Sequence, residues 1–197
     1  LAKIDRDKLS RANQVDAALL EHDLQSTLWQ LEELREWERN PLFYTGTAGS
    51  AIFGLVAREY APLPTRLAAV ASRLEQLPRF LEQVRATLVA NRVPKIHAEV
   101  AVQQNRGVLS LLDEMVAPAL PQLDPVLRDR LEKAMAAART AVEAQQQWLE
   151  KPLLPAAAGD FRVGEKVFDL KLAFSLHTPL TRADVGHRAL AEFTRVR

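Results

Sequence analysis

Apolar residues along this chain recur mostly at steps of three and four, and almost nowhere at steps of two. Leu9, Ala12, Val15, Leu19, Leu24, Leu28, Leu31 and Leu34 make one stripe, which predicts an amphipathic helix over about 7–38. Asn40-Pro41 is predicted to stop it, because the residue before proline avoids helical geometry. "NPLFYTGTAG" (40–49) then reads as an aromatic loop, followed by a short buried helix near 48–59, since "GSAIFGLV" is apolar all round. A helix at about 64–76 buries Leu67, Val70, Leu74 and Leu77, and Pro78 opens another as its first residue, to about 90.

Beyond "NRVP" the pattern predicts a long helix at about 95–117 with Ile96, Val100, Leu109, Leu112 and Val116 inward. Asp124-Pro125 pairs a capping side chain with a first-turn proline and starts a helix running to about Glu150. "KPLLPAAAGD" (151–160) reads as a linker. Two helices follow, at about 162–176 and 182–196, the second started by Thr181 with Asp184 as the acidic half of a capping box. The fold class is therefore all-α: an irregular bundle of about eight helices, read as one helical segment over 1–197. The pattern still looks helical at Arg197 and the chain begins at Leu1. Both suggest a truncated part of a larger fold.

Composition removes several functions. Lys and Arg number 26 against 25 Asp and Glu, so nothing calls for nucleic acid. Cysteine is absent, which excludes disulfides and thiol catalysis. No apolar run approaches the roughly 20 residues of a membrane span. The expectation is a soluble protein, either cytoplasmic or exported with its signal removed.

The chemical motifs fail one by one. Gly159 and Gly164 have the spacing of a phosphate loop, but Glu165-Lys166-Val167 follows where Lys and then Ser or Thr are needed. His22, His97, His177 and His187 include no H-E-x-x-H pair, so no zinc-peptidase helix lies in this stretch. Ser50 follows Gly49 without the second glycine of a nucleophile elbow. No catalytic residue and no metal ligand is assigned. A small-molecule site would need an internal pocket lined by Phe43, Tyr44 and Phe53.

"NPLFYTG" (40–46), "APLPTRLAAVASRLEQLPRFLEQ" (61–83), "VPKIHAEVAVQQNRGVLSLL" (93–112), "LLPAAAGDFRVGEKVFDLKL" (153–172) and "TRADVGHRALAEF" (181–193), taken in order, resemble one family. It is the bacterial domain-of-unknown-function family eight-eight-five, large helical proteins that resemble zinc metallopeptidases. The resemblance implies that this chain is the N-terminal portion of a longer parent, with the H-E-x-x-H helix in the parent's C-terminal half. It implies zinc for the parent and no cofactor in this chain. The partners it implies are the C-terminal half of the parent chain and a peptide substrate. In that setting Tyr44, Arg162 and Lys166 are candidate substrate contacts, Arg162 by pairing a peptide carboxylate. The rival reading is a self-contained helical interaction module with no enzymatic role. An apolar surface confined to the last helices would point to truncation, and a groove between mid-chain helices to binding.

Overall fold

A computed structural model describes residues 4–197, and among them every regular element is helical. The chain forms two compact units: residues up to Arg35 together with Arg162–Arg197, and the continuous stretch Glu36–Phe161.

The first unit contains α1 (Arg11–Trp29), extended by a π turn over Gln30–Leu34, and the two last helices of the chain, α9 (Glu165–Leu176) and α10 (Arg182–Val196). Ser10 caps α1 by accepting from the Asn13 N–H, 3.3 Å away. Arg35, at φ 49°, turns the chain left-handed and ends the π turn. Gly164, at φ 79°, precedes α9, a backbone position glycine occupies without steric cost. Thr181 and Asp184 form the full capping box that the sequence predicts for α10.

The leucine stripe of α1 is present but uncovered. Val15, Leu19, Leu24, Leu28 and Leu31 are all exposed, and only Leu34 is buried. Helices α1, α9 and α10 contain no buried residue at all. A stripe in a sequence reports that a face wants cover; it does not say which part of the polypeptide supplies it.

The second unit holds the core. It comprises α2 (Glu36–Arg39), α3 (Pro41–Val56), α4 (Leu63–Thr87), α5 (Lys95–Asn105), α6 (Gly107–Leu111), α7 (Pro125–Trp148) and the single turn α8 (Leu154–Ala156). A larger cluster, with Ile52, Leu67, Val70, Leu74, Leu112, Leu131 and Val142 at its centre, joins α3, α4, α6 and α7. A smaller one gathers Val84, Leu88, Val93, Ala98, Ala101, Leu149 and Leu153.

Three predicted features of this unit differ from the structure. Residues 40–49 are not a loop: Asn40 accepts from the Leu42 N–H at 3.1 Å and Pro41 takes the first helical position of α3. The pair acts as a start signal, as Asp124-Pro125 does for α7. Pro78 does not open a helix; it lies inside α4, whose inward face from Leu67 through Leu74 and Leu81 to Val84 is continuous across it. Burial of that face outweighs the missing hydrogen bond. Residues 151–160 are not an open linker over their first half. A π turn over Leu149–Leu153 and then α8 carry the helix on from α7, with Leu149 and Leu153 buried.

The 95–117 segment is broken into α5, α6, a π turn and a 3-10 turn. Its inward face runs Ala98, Ala101, Asn105, Val108, Leu112 and Val116, while Ile96 is exposed. In α5 the small residues Ala98 and Ala101 mark the close-packed side, while further on Leu112 and Val116 are buried as the sequence predicts.

Candidate functional site: the groove of α3 and α4

The residues singled out by sequence fall in different units. Tyr44 belongs to α3 in the second unit. Its hydroxyl donates to the Trp37 carbonyl at 2.6 Å, and burial raises its pKa. Arg162 is exposed just ahead of Gly164, and Lys166 is exposed in the first turn of α9, both in the first unit. Phe43, Tyr44 and Phe53 do not line a common pocket. Phe43 and Phe53 are exposed, and Tyr44 borders a space of only about 10 Å³.

Sequence reasoning missed the groove between α3 and α4. It has a volume of about 150 Å³ and apolar walls from Ala51 and Ile52 of α3 and Leu77 and Phe80 of α4, with Arg73 and Gln76 at the rim. The signal is the spacing 73, 76, 77, 80, which is one helical face, but reading Pro78 as the start of a new helix divides that face. Arg73 is exposed and has no acidic partner among the described residues.

Around the groove the second unit is held by polar bonds. Arg66, buried, donates to the Val56 carbonyl at 3.2 Å and the Ala61 carbonyl at 3.0 Å. It thereby supplies positive charge and donors at the C-terminus of α3. Arg130 of α7 grips Glu75 of α4 through two bonds of 2.7 and 2.8 Å, which lowers the Glu75 pKa. Asn105, fully buried, donates to the Val142 carbonyl at 3.1 Å and to Gln146 Oε1 at 3.0 Å. Gln146 in turn donates to the Val102 carbonyl at 3.0 Å and to Glu150 at 2.7 Å. Buried Glu38 pairs with Arg92.

Zinc, which the family resemblance implies for the parent, finds no ligand set here. Among the described residues no three His, Cys, Asp or Glu side chains come together. The nearest histidines, His22 and His177, stack with ring centroids 3.9 Å apart and planes 12° from parallel. Their nitrogen lone pairs lie in separate parallel planes and do not converge on one ion at the roughly 2 Å a zinc bond requires. His22 Nε2 is further committed to the Phe174 carbonyl, 2.9 Å away. No helix among the described residues is long and apolar enough to cross a membrane.

Comparison with known proteins gives the following. No curated protein matches the chain. A solved structure from Shewanella oneidensis, described as "a putative lipoprotein of unknown function", shares the fold with a TM-score of 0.87 at 23% identity. The match covers 99% of this chain and 36% of that one, so the chain spans about a third of the length of that structure. The family model described as "bacterial protein of unknown function (DUF885)" matches residues 1–197. The chain belongs to that family.

Proposed function

We propose that this stretch is a non-catalytic N-terminal helical scaffold of a zinc-metallopeptidase-like protein, forming part of a substrate cleft whose H-E-x-x-H site lies elsewhere in the parent. The observation that carries the reading is the uncovered apolar surface of the first unit. Leu19, Leu24 and Leu28 on α1, and Leu190, Phe193 and Val196 on α10, are all exposed on helices with no buried residue. Faces of this kind are built to be packed against. The absence of an H-E-x-x-H pair from the sequence assigns no chemistry to the stretch itself. Tyr44, Arg162 and Lys166 remain the residues proposed to touch a peptide.

The test uses the parent polypeptide: zinc content by elemental analysis and hydrolysis of a peptide mixture. Bound zinc with hydrolysis, and a raised KM without loss of zinc in Arg162→Ala and Lys166→Ala, is the expected result. A parent without zinc or hydrolysis overturns the reading, as does hydrolysis by residues 1–197 alone. The rival reading, an interaction module, draws on the α3–α4 groove, which lies between mid-chain helices. It predicts a parent with no hydrolytic activity. The description of the solved neighbour as a lipoprotein makes export the first compartment to examine.

A further inference from the structure

The outer face of α3 is unusual for a helix that packs into a core. Phe43, Gly46, Thr47, Ser50, Phe53 and Gly54 fall on one side of it, and all are exposed. The two phenylalanines stand at its ends, 57% and 51% exposed, with small residues between. A Cβ added at Gly46, Gly49 or Gly54 would meet nothing within 4 Å. Glycine inside a helix costs about 1 kcal/mol relative to alanine, and no packing within this stretch offsets that cost three times over. Glycine on a helix face serves where another backbone approaches closely. Along the edge of this face runs the 150 Å³ groove, apolar within and rimmed by Arg73.

We propose that this face is covered by a helix from the remainder of the parent polypeptide, an apolar helix that seats a side chain in the α3–α4 groove and sets a carboxylate against Arg73. The proposal rests on the reading that the stretch belongs to a longer chain. Two observations choose the occupant. The solved neighbour is matched over only 36% of its length, so most of that chain lies outside the match. Arg73 is a cation at an apolar rim with no acidic partner among the described residues, which calls for an acidic group on whatever fills the groove. The glycines allow the backbones to approach, and the two phenylalanines would close over the ends of the covering helix.

Residues 1–197 contain no cysteine, so a label found by mass spectrometry on a peptide of this stretch reports the introduced thiol. In the full-length parent, Ser50→Cys is expected to react with a maleimide at least about tenfold more slowly than Glu132→Cys on the exposed side of α7, with sites assigned by mass spectrometry. The protection should persist over about a hundredfold dilution, as for an intramolecular contact. Arg73→Glu should raise the Ser50→Cys rate several-fold and Arg73→Lys should not. Labelling as fast as at Glu132→Cys overturns the proposal. Protection lost on dilution also overturns it, in favour of a second copy. An unchanged rate in Arg73→Glu overturns the carboxylate assignment. Zinc and hydrolysis do not enter this readout, so a protected thiol in a zinc-free parent would leave this inference standing and remove the peptidase reading.

Discussion

Individual residues account for much of the second unit's shape. Gly159 donates its N–H to the Val93 carbonyl at 2.9 Å, and a Cβ there would lie 2.0 Å from the Arg92 carbonyl oxygen. Backbone blocks the space, so Gly159→Ala is expected to cost about 2–4 kcal/mol in chemical denaturation. Asn105→Ala should cost about 2 kcal/mol, because the Val142 carbonyl and Gln146 Oε1 lose a donor in a site closed to water. His97 is a pH-sensitive point. Burial holds its pKa below the ordinary imidazole value, Glu36 opposes this and Arg39 adds to it, while Nδ1 is buried without a partner. The unfolded chain then binds a proton at higher pH than the folded one. Stability must fall as pH drops below the ordinary imidazole value of about 6.5. Urea titrations at about pH 7.5 and about pH 5.5 should show that loss, and His97→Gln should reduce it.

At the scale of elements, the signals with a local mechanism were legible. The caps at Thr181 with Asp184 and at Asp124, and the inward faces of α4 and α7, follow from spacing and side-chain chemistry alone. What misled was proline. By local rules Asn40-Pro41 reads as a stop and Pro78 as the start of a new helix, yet one starts α3 and the other sits within α4. Proline forbids a donor, not a helix, and only the neighbouring core decides between stop, start and interruption. Pro78→Ala should therefore stabilise the chain by about 1–2 kcal/mol, read from the denaturation midpoint at constant slope. A loss of stability would mean that the core is fitted to the interruption. The candidate groove was illegible for the same reason, since its α4 wall spans Pro78. The exposure of the α1 stripe was beyond reach of any local rule.

For the molecule as a whole, the division of labour between units is uneven. Among the described residues both hydrophobic clusters lie within Glu36–Phe161, and α10 carries Leu190 and Phe193 at 66% and 56% exposure. If the parent covers these faces, Phe193→Ser in the parent should cost about 2 kcal/mol or more, as for a buried aromatic. A surface phenylalanine with no cover would change stability by less than about 0.5 kcal/mol. The measurement separates a helix waiting for its partner from one that meets only water.

The segment between Leu88 and Val93 fastens both ends of the second unit. Near the start, the Glu38 carbonyl accepts from the Val89 N–H at 2.8 Å and the Glu38 carboxylate pairs with Arg92; near the end, Gly159 bonds to Val93. The stretch 36–161 thus leaves and returns at one spot, with the rest of the fold strung on either side of it in sequence. That is the geometry of an insert. A piece whose two ends are already tied together is expected to fold when residues 36–161 are expressed alone.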